Sequence, residues 1–116
     1  MNVLKFGGTS VANAQNISLV LDIVNETSKK ESLVVVVSAF SGVTDLLVLA
    51  SAKAAAKDKT YKDIVNQIEQ KHKEAIEQLI PLSEQSELID VINSNINHLK
   101  TLLDGCYLAR PTWWSR

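Results

Sequence analysis

The sequence predicts an α/β fold carrying a helical hairpin, and three observations predict it. A short strand-like run, Asn2 to Phe6, and a continuous branched-apolar run, Leu33 to Val37, are separated by a stretch of helical periodicity, which gives a strand, helix, strand unit. The second run contains no polar residue, the pattern of a strand buried on both faces of a parallel sheet. From Thr60 onward the apolar spacing is helical throughout and is broken only at Pro81, so two helices follow one another as an antiparallel pair. No repeat or low-complexity linker separates these parts, and a single α/β unit with a helical excursion is the expected organisation.

The first strand, Asn-Val-Leu-Lys-Phe, stops at Gly7-Gly8, where glycine opens dihedrals closed to other residues and a tight turn is expected. Thr9 or Ser10 is then placed to cap a helix whose apolar positions are Val11, Ile17, Val20, Leu21 and Val24. Lys29 and Lys30 suit its C-terminus, where the helix dipole favours cations. After the Leu33 to Val37 strand, Ser38-Ala39-Phe40-Ser41-Gly42 forms a loop. A helix begins there and runs through Leu46, Leu47, Leu49, Ala50 and Ala54 to about Lys57. Thr60 is read as the cap of the next helix, with a stripe of Tyr61, Ile64, Val65, Ile68, Ala75, Ile76 and Leu79. Ser83 starts the last helix, with Leu88, Val91, Ile92, Ile96, Leu99, Leu102 and Leu103 on one face.

Composition narrows the function classes. Twelve Lys and Arg nearly balance thirteen Asp and Glu, so no basic stripe is available for a nucleic-acid backbone. Cys106 is the single cysteine, which rules out an internal disulfide and a cysteine cluster for zinc; its apolar context reads as a buried structural thiol. No apolar run has membrane-spanning length and the start does not resemble a secretion signal, so the cytoplasm is the expected compartment. Arginine occurs only at Arg110 and Arg116, which leaves residues 1–109 without the two-pronged guanidinium that commonly clamps carboxylates and phosphates.

The strongest chemical signal is Lys5-Phe6-Gly7-Gly8-Thr9-Ser10. A lysine at a strand end, glycines that admit close backbone approach, and a helix start combine three ways of holding phosphate. The spacing is neither that of a Walker A loop nor that of a dinucleotide fingerprint. On chemistry alone, a plain strand-to-helix turn containing two glycines is an equal reading. Ser38 to Thr44 is a second, hydroxyl-rich loop beyond a strand's C-terminal end, where parallel α/β sheets place ligands. Its hydroxyls suit a carboxylate or amino group, while a helix cap at Ser41 and a turn at Ser38 explain the same residues structurally. His72 and His98 lie in the helical hairpin without a nucleophile nearby and read as partly exposed packing residues.

Lys-Phe-Gly-Gly-Thr-Ser-Val-Ala, from Lys5 to Ala12, resembles the N-terminal signature of aspartokinases, including those fused to homoserine dehydrogenase. Val35 to Leu47 resembles the family's second motif, and Leu103 to Leu108 is similar to its continuation. The resemblance covers residues 2 to about 108 and implies the N-terminal portion of an amino-acid-kinase (carbamate-kinase-like) sandwich. It implies transfer of the ATP γ-phosphate to the side-chain carboxylate of L-aspartate, the first step toward threonine, methionine and lysine. By this resemblance Lys5 contacts the transferring phosphoryl group, Gly7 and Gly8, with Thr9 and Ser10 beside them, bind ATP phosphate oxygens, and Ser38 and Thr44 help to hold aspartate. Mg2+ would accompany ATP and bridge its phosphates; no metal ligand is assigned within this segment.

From Ala109 the sequence Ala-Arg-Pro-Thr-Trp-Trp-Ser-Arg departs from the family pattern, so residues 1–108 are read as kinase sequence and 109–116 as a tail. The family's later arginine, nucleotide-base segment and regulatory domains are not in this sequence, and the chain alone is expected to be inactive. Two other readings stand beside this one. One is a non-catalytic interaction module with a relict phosphate loop; the other is a different enzyme of the same fold, acting on glutamate or a nucleoside monophosphate. Apolar surface left without its neighbours leads to the further expectation of a homo-oligomer, with no nucleic-acid or membrane partner.

Overall fold

The computed structural model describes residues 1–109. Six elements follow in order: β1 (Asn2–Phe6), α1 (Ala14–Ser28), β2 (Leu33–Val37), α2 (Val43–Ala55), α3 (Tyr61–Leu79) and α4 (Leu82–Ala109). They form two compact units, Met1–Thr44 and a second beginning at Asp45. Residues 110–116, the greater part of the tail read from the sequence, lie outside the described residues; Ala109 itself is the last residue of α4.

In the first unit β1 and β2 pair in parallel, in register from Asn2↔Leu33 to Phe6↔Val37. The Asn2 amide donates to the Ser32 carbonyl at 3.0 Å and the Ser38 amide to the Phe6 carbonyl at 3.2 Å, so both strands end at the same level. Parallel neighbours need a crossover, and α1 supplies it. This helix starts later than the sequence suggested. Residues 8–12 close successive turns instead, and the cap is Asn13: its backbone is extended (φ −156°, ψ 174°) and its side-chain oxygen accepts the Asn16 amide at 2.8 Å. Val11, Ala14 and Val20 are buried, whereas Leu21, expected on the core side, is 53% exposed.

The expectation that β2 is buried on both faces is not met in this chain. Val34, Val35, Val36 and Val37 are 40–57% exposed, because a two-stranded sheet with one crossover helix cannot cover both surfaces. The apolar composition of β2 matches a strand with more neighbours than these 109 residues supply.

In the second unit α2 ends in a Schellman motif. The Lys57 amide donates to the Ala54 carbonyl (3.1 Å) and the Asp58 amide to the Lys53 carbonyl (2.8 Å), with Lys57 left-handed at φ 61°. Thr60 precedes α3 but its side chain makes no cap bond. Asp58 does that work locally, accepting from the Thr60 amide (2.9 Å) and the Thr60 hydroxyl (2.6 Å).

Pro81 separates α3 from α4, and the two return antiparallel: Tyr61 meets Asp104 and Tyr107 at one end, and Gln85 reaches the carbonyls of Glu77 and Ile80 at the other. Tyr61, Ile64, Val65, Ile68 and Ala75 are buried on α3, and Ile96 and Leu103 on α4. Leu88, Val91 and Leu102, expected on the packed face of α4, are 40–57% exposed. The buried phase of that helix runs through Ile92, Ile96, Leu99 and Leu103, leaving those three outside it. Cys106, expected buried, is exposed.

Candidate active site

The register of the two strands sets the geometry of the first unit's loops. With Phe6 opposite Val37, the segment after β1 and the segment after β2 leave the sheet side by side at its C-terminal edge. Side chains alternate along β1: Leu4 and Phe6 are half-buried, and Phe6 lines a groove of about 290 Å³ with Thr9, Ser10, Asn16, Leu19, Val20 and Ile23. Lys5 therefore projects from the opposite sheet face, in register with Val36, and is exposed.

Three turn bonds shape the loop after Phe6. The Ser10, Val11 and Ala12 amides donate to the Gly7, Gly8 and Thr9 carbonyls at 3.0, 3.2 and 3.4 Å. The amides of Gly7, Gly8 and Thr9 fall outside these bonds. A second acceptor bond fixes Thr9, whose carbonyl receives the Asn16 side-chain amide at 2.9 Å. The Ser10 amide is committed to the turn, so the part of Ser10 left for a ligand is its hydroxyl.

The two glycines carry information that the sequence could not supply. Neither Gly7 nor Gly8 has a left-handed φ; the one described glycine that does is Gly42, at +84° in the second loop. A Cβ on Gly7 would meet nothing within 4 Å, and one on Gly8 would lie 3.9 Å from Ser41 Cα and 4.0 Å from Ser38 Oγ, which is ordinary contact. Conformational need, the reason first advanced for glycine here, thus applies at Gly42 and not at Gly7 or Gly8.

The Gly8 distances also bring the two loops together. Ser38 and Ser41 stand beside Gly8, with the Ser38 hydroxyl donating to the Ala39 carbonyl at 2.9 Å. The Val43 amide closes a turn onto the Phe40 carbonyl at 3.0 Å, and Thr44 follows on the first turn of α2 with its side chain exposed. Lys5, Gly7, Gly8, Thr9, Ser10 and Ser38 are therefore gathered at one sheet edge, and Thr44 stands at the far end of the second loop. Asn13 and Asn16 were not singled out from sequence. The signal was present, since Asn immediately before a helical pattern is a strong cap residue, but it competes with Thr9 and Ser10 in the same stretch.

The sequence profile described as the amino acid kinase family matches residues 1–103, and the chain belongs to that family. Its curated relatives are more specific. The chain is 35% identical over 107 residues to the chloroplastic bifunctional aspartokinase/homoserine dehydrogenase 1 of Arabidopsis thaliana, covering 92% of this chain and 12% of the relative. It is 45% identical over 78 residues to the aspartokinase of Chlamydia pneumoniae, covering 66% and 16%, and 36% identical over 112 residues to that of Candida albicans, covering 91% and 20%. The chain spans 12–20% of the length of these relatives. The resemblance seen in the sequence motifs is thus met again across most of the chain.

Proposed function

We propose that this chain is the N-terminal part of an aspartate kinase, carrying the ATP-phosphate loop (Lys5, Gly7, Gly8, Thr9, Ser10) and part of the aspartate site (Ser38, Thr44) of an amino-acid-kinase sandwich. The observation that carries the reading is the pair of glycines. Glycine destabilises a loop relative to alanine when its φ is accessible to both, and neither backbone strain nor crowding requires it at Gly7 or Gly8. A ligand that must approach the backbone closely is a sufficient reason, and a phosphate bound by main-chain amides is such a ligand.

Phosphoryl transfer to a carboxylate brings two anions together, so positioned donors and positive charge matter more than a base. Lys5, exposed at the sheet edge beside the glycine loop, supplies the charge where the γ-phosphate would sit. The Gly7, Gly8 and Thr9 amides and the Thr9 and Ser10 hydroxyls face the phosphate oxygens, and Ser38, next to Gly8 and with its hydroxyl proton given to the Ala39 carbonyl, offers its oxygen as an acceptor for the aspartate amino group from the second loop. Mg2+ would accompany ATP as part of the substrate, and the chain's own share would be to orient the phosphates.

The reading places the remaining sandwich, the nucleotide-base site and the aspartate clamp in sequence that the relatives have and these 116 residues do not. Two assays test it together. Residues 1–108, exchanged for the matching segment of the Candida albicans aspartokinase, are expected to sustain aspartyl phosphate formation trapped as the hydroxamate, while the 116-residue chain alone forms none. Hydroxamate from the isolated chain would overturn the assignment as a part-site. A chimera that folds and binds aspartate yet transfers no phosphate would overturn the loop's role.

A second reading, a non-catalytic interaction module using the helical hairpin, is favoured by the exposed Leu88, Val91 and Leu102 on α4. It predicts that polyphosphates leave the glycine loop unperturbed.

A further inference from the structure

Asn16 lies in the first turn of α1, is half-buried, and lines the groove that Thr9 and Ser10 also border. Its side-chain amide donates to the Thr9 carbonyl at 2.9 Å, across seven residues of sequence. The same carbonyl receives the Ala12 amide at a long 3.4 Å, so the Asn16 bond is the stronger of the two that hold it. A peptide plane fixes its carbonyl and its amide together. Holding the Thr9 carbonyl toward α1 therefore sets the orientation of the Thr9–Ser10 peptide, and with the Gly7 and Gly8 carbonyls engaged by Ser10 and Val11, the whole loop is tied on its helix side.

We propose that Asn16 is a positioning residue of the phosphate loop: by anchoring the Thr9 carbonyl to α1 it fixes the Thr9–Ser10 peptide, whose Ser10 amide holds the Gly7 carbonyl and with it the Gly7–Gly8 peptide, and so keeps the loop in the conformation that presents its free amides to a polyphosphate. The inference rests on the reading of that loop as a phosphate site. Asn13 does a different job nearby. It caps the helix through the Asn16 main-chain amide, a bond that any residue at position 16 except proline keeps. Asn13 thus serves α1 and the Asn16 side chain serves the loop, which lets the two be separated.

Preorganised donors bind better because the ordering cost is met before the ligand arrives. Losing one such hydrogen bond corresponds to about a threefold to tenfold loss of affinity. The test uses the full 116-residue chain, uniformly 15N-labelled and titrated with inorganic tripolyphosphate, with the Gly7, Gly8 and Thr9 amide signals as readout. Asn16→Asp is nearly isosteric, loses the donor and sets a carboxylate against the Thr9 carbonyl; Asn16→Ala removes the group.

Both variants are expected to weaken tripolyphosphate about threefold or more and to speed hydrogen exchange at Ala12, with the melting temperature little changed. Asn13→Ala is expected to do the reverse, lowering the melting temperature and leaving affinity within twofold. Unchanged affinity in both Asn16 variants, with the unsubstituted chain binding normally, would overturn the positioning role. Absence of any perturbation in the unsubstituted chain would overturn the phosphate reading itself and the inference with it, and that result is seen before a variant is made.

Discussion

At the scale of single residues, Lys5 and Gly7 give opposite kinds of prediction. Lys5 is exposed and pairs only its backbone with β2, so Lys5→Ala should leave folding intact. In a full-length enzyme bearing this segment it should lower kcat by at least about a hundredfold while the aspartate KM moves much less, because an interaction made mainly with the transferring phosphoryl group acts in the transition state. Steady-state kinetics reads the split; an unchanged kcat with a raised KM would move Lys5 to substrate binding. Gly7→Ala meets open space and a φ outside the left-handed region. It should stabilise the fold by roughly 0.4–1 kcal/mol through the unfolded chain and at the same time weaken phosphate binding, read by thermal melts and titration on the same sample.

Two side chains in the second unit link stability to pH, with opposite signs. The Thr60 hydroxyl, then its amide, then Lys53 hold Asp58 down from 3.8 to about 2. A depressed folded pKa contributes stability above the unfolded value that disappears as pH falls from about 4 toward 2. The hydrogen bond from Tyr61 to the Asp104 carboxylate, aided by burial, pushes Tyr61 up from 10.0 to about 12. A raised pKa contributes fully below pH 10.0 and is lost as pH rises through about 12. Urea midpoints across pH should therefore show an acid limb that Asp58→Asn flattens and an alkaline limb that Tyr61→Phe flattens.

At the scale of elements, what the sequence revealed depended on whether a signal had competitors. Both strands fall at the predicted residues, since Gly7-Gly8 and Ser38 bound short apolar runs without ambiguity. The hairpin was legible because Pro81 permits one break between two long stripes. Helix starts were less so. Thr9, Ser10 and Asn13 are all good caps, and the choice fell to Asn13 because turns through residues 8–12 consume the earlier carbonyls. Thr60 lost its capping role to Asp58, two residues away, which sequence periodicity does not weigh. In the site, Lys5 and the glycines stood out by residue type, whereas the Asn16 bond to Thr9 depends on three-dimensional closure.

The end of α2 offers a test at this scale. Lys57 carries a left-handed backbone, which favours glycine, but its ammonium donates to the Tyr107 carbonyl at 2.8 Å and lies 6.0 Å from that ring's centre. Lys57→Ala loses the bond without relieving the backbone and should cost about 1 kcal/mol or more. Lys57→Gly loses the bond and relieves the backbone, so its melting temperature should lie clearly above that of Lys57→Ala. Equal melting temperatures would show that the left-handed residue carries little strain.

For the whole molecule, the decisive feature is how much apolar surface is left uncovered. Val34 to Val37 on β2, Leu19, Leu21 and Ile23 on α1, and Val48 and Leu49 on α2 are 40–65% exposed. No helix among the described residues is long and apolar enough to cross a membrane, so a bilayer-spanning helix does not explain this surface. On the proposed reading the sheet and helices of a larger kinase domain would cover it, and for the 116 residues by themselves self-association is the simplest substitute. Light scattering over a dilution series should find a dimer or larger species at micromolar concentration, and exchanging Val34 and Val36 for threonine should shift the population toward monomer. A well-folded monomer throughout would show that the isolated chain tolerates its exposed valines.

The most direct measurement is a titration of the 15N-labelled 116-residue chain with MgATP, following every backbone amide. The predicted result is a set of perturbations confined to Lys5 through Ser10 and the adjoining Ser38 loop, weakened in Lys5→Ala, with the α3 and α4 amides unmoved. No response at millimolar MgATP, or a response centred on the helical hairpin and indifferent to Lys5, would contradict the assignment of this chain's glycine loop to ATP phosphates.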